Sequence, residues 1–154
     1  MTIKNMMSVD LEDYFCDLPF EKWSKYESRV LKTTNKILDL FEKNGIKATF
    51  FTLGYIGEKI PDLIKEIDTR GHEIASHSYA HLDIRKVTKE EFEKDLKKSV
   101  EILEKITGKK ILGFRAPYFS IDKKSFWAME ILSKYFKYDS SIFPVKTPLY
   151  GIKN

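Results

Sequence analysis

Three groups of side chains in this sequence carry the means for metal-assisted hydrolysis. All three histidines fall within "GHEIASHSYAH" (residues 71–81), and two of them, His77 and His81, stand four residues apart. Far upstream, "SVDLEDYF" supplies Asp10, Glu12 and Asp13; downstream, "RAPYFS" supplies Arg115 and Tyr118. Two imidazoles and one carboxylate give a divalent cation three protein ligands and leave a position open for water. A cation so held lowers the pKa of its water towards ~7, which makes hydroxide available at neutral pH. A second carboxylate nearby can take the proton. A guanidinium, with its rigid fork of donors, can hold that carboxylate in place. Taken singly, each group has an ordinary reading: exposed loop histidines, an acidic turn, an arginine paired after a strand. What raises them is a fold that brings all three to one place.

The hydrophobic pattern supplies elements that do so. "IKNMMSVD" reads as a short strand running into the acidic residues. Over residues 29–44, Val30, Leu31, Thr34, Ile37, Leu38 and Phe41 share one helical face, and Asn44-Gly45 is the stop. "KATFFTL" is a buried strand rich in aromatic and β-branched residues. Pro61 opens a helix carrying Leu63, Ile64 and Ile67, which Gly71 closes. "HEIASH" is a third strand. Thr88 and Glu91 form a capping box ahead of a helix striped by Phe92, Leu96, Val100, Leu103 and Ile106 and ended at Gly108. "ILGFRAP" reads as a fourth strand, Asp122 as the start of a helix with Phe126, Met129, Leu132 and Phe136, and "YDSSI" as a fifth strand. "FPVKTPLYGIKN" has no clear period. Strand–helix alternation with short connections implies parallel strands joined by crossover helices. This is an α/β fold, either a doubly wound sheet or a piece of a β/α barrel. In such folds functional residues collect where strands end, and all three polar groups follow predicted strands. His72 precedes one, so it belongs to the opposite rim with a structural role.

Composition narrows the class further. A chain of 154 residues, 42% hydrophobic and 14% aromatic, suits a single domain over residues 1–154 and excludes a disordered chain. The formal charge of +4 comes from lysines interleaved with glutamates, which is a solvated helix face and not a nucleic-acid surface. No Gly-rich phosphate loop occurs. Cys16 is the only cysteine, so no internal disulfide forms. The N-terminus lacks the apolar core of a signal peptide, and no run approaches the ~20 apolar residues of a membrane span. These features predict a cytoplasmic chain.

The ordered motifs "SVDLEDYF", "KATFFTLG", "HSYAH" and "RAPYFS" resemble those of the polysaccharide deacetylases that share the NodB homology domain (carbohydrate esterase family 4), in the subgroup whose first motif reads Ser-Val-Asp-x-Glu-Asp. The resemblance implies a deformed β/α barrel, here an incomplete one of about five strand–helix units, and hydrolysis of N-acetyl groups on an amino-sugar polysaccharide. It implies Asp10 as the base, Arg115 as the group that orients it, and Tyr118 as the residue whose backbone amide helps bind the oxyanion. His77 and His81 match the family's metal histidines, with Glu12 or Asp13 as the third ligand. The metal expected is Zn2+, with Co2+, Ni2+ and Fe2+ also suited to such donors. Relatives often carry a histidine near the place of Cys16, which reads here as a quiet thiol. Trp23, Tyr26, Tyr55 and Tyr79 are candidates for a sugar groove, with packing as the ordinary alternative. The family's general acid, a histidine in a Leu-x-His motif, has no counterpart, since no histidine follows His81. The chain therefore reads as the N-terminal part of such a domain, able to bind metal but poor in deacetylation. Its open barrel edges would invite self-association. Two alternatives stand beside this reading: another hydrolase of non-peptide C–N bonds on the same scaffold (allantoinase-like), and an inactive carbohydrate-binding or assembly fragment.

Overall fold

The computed structural model describes residues 5–145 and 147 of the chain. Five parallel strands, β1 (Met7–Leu11), β2 (Ala48–Thr52), β3 (Glu73–Ser76), β4 (Gly113–Phe114) and β5 (Tyr138–Asp139), form one sheet in chain order. The crossovers are carried by α1 (Val30–Lys43), α2 (Gly54–Lys59), α3 (Pro61–Thr69), α4 (Lys89–Thr107) and α5 (Ala128–Tyr135). This is the α/β architecture expected of an incomplete β/α barrel, with β1 and β5 as its edges among the described residues. No helix among the described residues is long and apolar enough to cross a membrane.

Burial follows the periodicity except at Leu31, which shares the predicted α1 face and is exposed. Val30, Thr34, Leu38 and Phe41 of α1 face inward, as do Leu63, Ile64 and Ile67 of α3. They pack against Leu11, Phe50, Ile74 and Phe114 of the sheet. The capping box of α4 is present in both directions: Glu91 N–H donates to Thr88 Oγ1 at 3.2 Å and Thr88 N–H to Glu91 Oε2 at 2.8 Å. Gly108 ends the helix in the left-handed region, φ 68°, where a side chain is disfavoured. His72 sits at the N-terminal rim, its Nδ1 accepting the Ala48 N–H at 3.1 Å and its ring against Phe41 and Phe50. That is the structural place anticipated for it.

Four elements differ from the sequence reading, among them the fifth strand, expected over "YDSSI" and confined to Tyr138–Asp139. The helix α2 was not anticipated, because its apolar residues continue without a break from β2. The fourth strand shrinks to two residues, since beyond Phe114 the chain turns into the Pro117 region. Asp122 does not begin α5. Its Oδ1 accepts the amides of Lys124 and Ser125 and so closes a separate turn; the helix starts at Ala128, and Phe126 is left exposed.

Helices α2 and α4 cross closely over Gly54. A Cβ there would meet Ser99 Cα at 2.8 Å and the Tyr79 ring at 3.0 Å. Gly54→Ala is therefore expected to force the two helices apart and to destabilise the fold by ~1–3 kcal/mol, the usual range for overpacking. The denaturant midpoint checks this, and an unchanged midpoint would contradict it.

Candidate metal centre

The sheet register decides which side chains meet. Leu11 pairs with Thr52, Thr52 with Ser76 and Ser76 with Phe114, so the residues just past these strand ends share one rim. Glu12, His77 and Arg115 are three of them. Asp10, one residue earlier on β1, reaches the same cleft, whose lining includes Asp10, Glu12, His77, His81, Arg85 and Tyr118.

Of the two carboxylates left open as the third donor, the structure brings Glu12 to the histidines and turns Asp13 away. Asp13 is buried, and it accepts the Ser28 hydroxyl at 2.6 Å and the amides of Arg29 (3.0 Å) and Val30 (3.3 Å). A carboxylate on the first free amides of α1 satisfies them and complements the helix dipole. Asp13 is thus committed to ordering the loop between β1 and α1.

Glu12 Oε2 lies 2.8 Å from His81 Nε2 and 3.7 Å from His77 Nε2. It is nevertheless buried without a hydrogen-bond partner among the described residues, so the short approach is not aligned as an N–H···O bond. The donor atoms of Glu12, His77 and His81 all lie within 4.8 Å of one another. Three donors around a tetrahedral Zn2+ sit roughly 3.3–3.5 Å apart, so these separations bracket what a small divalent cation needs. The orphaned carboxylate oxygen facing two imidazole nitrogens is what such a cation would satisfy. His77 Nδ1 donates to the Arg115 carbonyl at 2.7 Å, which leaves Nε2 with its lone pair towards Glu12. Burial holds the His77 pKa below the ordinary imidazole value, outweighing the opposite pull of Asp10 and Glu12. Burial alone would raise the Glu12 pKa, but contact with His81 and the charges of His81 and His77 bring it below normal. His81 Nδ1 has no hydrogen-bond partner among the described residues; Asp17 Oδ1 stands 3.8 Å away.

The loop bearing the histidines is strained. Ser78 (φ 67°) and His81 (φ 54°) are left-handed without being glycine, a conformation that costs ~1–3 kcal/mol per residue. Its backbone is clamped from both sides. The first amides of α2 donate to it, Gly54 to the Ser78 carbonyl at 2.9 Å and Tyr55 to the Tyr79 carbonyl at 3.2 Å. From α4, the buried Asp95 accepts the Tyr79 and Ala80 amides. Burial pushes the Asp95 pKa up to about 6 against the pull of those amides.

Beside the donors, Arg115 holds Asp10. Its Nη1 donates to Asp10 Oδ1 at 2.7 Å, its Nη2 donates to the hydroxyls of Ser8 and Ser140 at 3.0 Å each, and the guanidinium stacks 4.0 Å over the Phe51 ring. Tyr118 (φ 57°) and Phe119 (φ 47°) are consecutive left-handed residues. The Tyr118 amide donates to no protein acceptor among the described residues, and burial, with the charge of Asp17, raises its phenol pKa.

Other candidates go elsewhere. Cys16 is buried, its Sγ accepts the Asp13 amide at 3.3 Å, and burial pushes its thiol up to about 12, so it is an inert packing residue. Trp23 and Tyr79 are buried, and Phe20, Trp23, Tyr55 and Tyr79 pack on one another. This is the packing alternative, and it leaves Tyr26 as the exposed member of the four weighed for a sugar groove. Sequence reasoning missed Asp17, Arg85 and Asp95. Only Asp95 had a signal: it falls three residues after Phe92, on the buried stripe of α4.

The sequence profile of a family described as polysaccharide deacetylase matches residues 21–134, a span that includes His77, His81, Arg115 and Tyr118 and begins after Asp10, Glu12 and Asp13. A peptidoglycan-N-acetylglucosamine deacetylase of Bacillus cereus is 39% identical over 101 residues, 65% of this chain and 37% of the relative. The solved structure of a peptidoglycan N-acetylglucosamine deacetylase aligns with a TM-score of 0.66 at 31% identity, covering 87% of this chain and 54% of its own. A Mycobacterium smegmatis structure aligns with a TM-score of 0.76 over 90% of this chain and 50% of its own; at 23% identity that likeness is one of fold. The chain thus spans little more than a third of the Bacillus relative and about half of the two structures.

The neighbouring carboxylates should separate in experiment. Asp13→Ala strands the first amides of α1 and is expected to cost ~1–3 kcal/mol of stability while leaving divalent-metal affinity intact. Glu12→Ala is expected to spare stability and to weaken Zn2+ binding beyond the ~10–100-fold typical of outer-shell changes. Paired denaturation and metal titration check both; exchanged phenotypes would contradict the assignment.

Proposed function

The chain belongs to the polysaccharide deacetylase family, and we propose that its cleft hydrolyses N-acetyl groups on an amino-sugar polysaccharide, with His77, His81 and Glu12 holding a divalent cation, Zn2+ in the first instance. The observation that carries this reading is the meeting, at one strand-end rim, of three convergent donors and a carboxylate locked by an arginine. When bound, the cation supplies Lewis-acid activation of water and of the amide carbonyl.

The chain's own residues supply the rest. Arg115 occupies Asp10 Oδ1, so Oδ2 is the atom that takes the proton from the attacking water. Arg115, itself held by Ser8, Ser140 and the Phe51 ring, fixes the carboxylate and removes the need to reorganise it during the reaction. The Tyr118 amide donates to the carbonyl oxygen as that atom gains negative charge. Water adds to the acetyl carbon, the C–N bond breaks, and the products are acetate and the free amine of the sugar. The activity of the Bacillus relative makes peptidoglycan N-acetylglucosamine the first substrate to try.

Among the described residues lining the cleft, the only histidines are the two proposed metal donors, so none is left over to protonate the leaving amine. A positioned acid contributes ~10²–10⁴-fold, and its absence from the described cleft favours a second reading, in which the site binds a glycan without turning it over.

Acetate release from N-acetylglucosamine oligomers and from peptidoglycan, measured with metal content, tests the assignment. Asp10→Asn is expected to abolish release and retain one bound metal, and His77→Ala/His81→Ala to lose both. Full metal content in the double variant, or unchanged turnover in Asp10→Asn, would contradict it. Stoichiometric metal with no acetate from the native chain would leave the glycan-binding reading in its place.

A further inference from the structure

We propose that Asp95, which touches none of the three donors, is the positioning residue that holds the 77–81 loop in its ligating conformation; the inference rests on the metal-site reading above. Its two oxygens are both spent on the backbone between the histidines. Oδ1 accepts the Tyr79 amide at 2.8 Å and Oδ2 the Ala80 amide at 2.9 Å. No other acceptor among the described residues takes these amides. Without the carboxylate, the Tyr79 and Ala80 N–H groups, the first buried and the second partly so, and two left-handed residues, Ser78 and His81, would have nothing on the α4 side to hold them.

The carboxylate is itself rigidly placed. Asp95 lies on the inward face of α4 among Phe92, Leu96, Ser99 and Leu103. Ser99 Oγ meets Ser76 Oγ at 3.0 Å, which ties the helix to the last residue of β3, immediately before His77. The Tyr79 side chain is pinned as well: its hydroxyl donates to Glu58 at 2.8 Å, and Lys98 of α4 sits 3.6 Å over its ring. Position is thus transmitted from the sheet through α4 and Asp95 to the loop, and from the loop to the two imidazoles. A carboxylate suits the place because it offers two acceptors and no donor. An amide of the same size presents one NH2 to an N–H and repels it.

The test uses the whole chain and Zn2+ in competition with a chromophoric chelator. Asp95→Asn is expected to weaken Zn2+ binding by ~10–100-fold, as loss of an orienting partner does. Leu103→Val, on the same helix but remote from the loop, is expected to lower stability and leave the affinity unchanged. Equal affinity in Asp95→Asn and the native chain would overturn the proposal, as would an affinity loss in Leu103→Val matching its loss of stability. Amide hydrogen exchange on the metal-free native chain decides the point without a variant. Slow exchange at Tyr79 and Ala80 is expected, and exchange as fast as in a free loop would overturn the clamp. If the native chain binds no Zn2+ while those two amides are protected, the metal reading fails and the clamp stands.

Discussion

Leu11, Thr52, Ser76 and Phe114 stand side by side across the parallel sheet, and each carbonyl accepts the amide just past the end of the neighbouring strand: Leu53, His77, Arg115 and Ser140. The ladder therefore runs one residue beyond the strands themselves. That extra rung fixes where the loops depart, and with them every polar group of the cleft. Glu12, His77 and Arg115 are distant in sequence, yet their backbones leave the sheet at one rim, from β1, β3 and β4. A slip of one residue in any pairing would turn the corresponding side chain to the other face of the sheet and dissolve the cluster.

Placing charge at such a rim has an electrostatic cost, and the structure distributes it. Arg115 is the hub. It neutralises Asp10, leans on Phe51, draws hydroxyls from β1 and the segment after β5, and gives its own carbonyl to His77 Nδ1. One residue thus fixes both Asp10, the proposed base, and His77, a proposed metal donor. Asp13 is removed from the contest by the free amides at the start of α1. Glu12 Oε2, between two imidazoles, is left without a hydrogen-bond donor among the described residues, and His81 Nδ1 and Arg115 Nε are likewise without partners there. A buried acceptor without a donor is unfavourable in a protein by itself, and it becomes favourable when a cation completes it.

Much of this was legible in the residues. The capping box at Thr88, the proline at 61, the periodic stripes of α1 and α4 and the H-x-x-x-H spacing each carry a local physical signal. The placement of all three polar groups after strands followed from the α/β alternation. The choice between Glu12 and Asp13 did not, because it turns on which side chain meets α1, a contact across more than a dozen residues. Asp95 was hidden in an alternation of lysine and glutamate that reads as solvated. Only its register with Phe92 and Leu96 marks it as inward. The short α2 and the late start of α5 were obscured for opposite reasons, the first by apolar continuity with β2 and the second by an aspartate that caps a turn instead of a helix.

The central claim is that a divalent cation sits at the point where Glu12, His77 and His81 converge. Anomalous diffraction at the zinc absorption edge, from crystals of the chain grown with Zn2+, tests it directly. The account predicts one strong peak about 2.0–2.2 Å from His77 Nε2, His81 Nε2 and a Glu12 carboxylate oxygen, with Asp13 still on the amides of α1. A peak coordinated by Asp13, or none in this cleft, would contradict it.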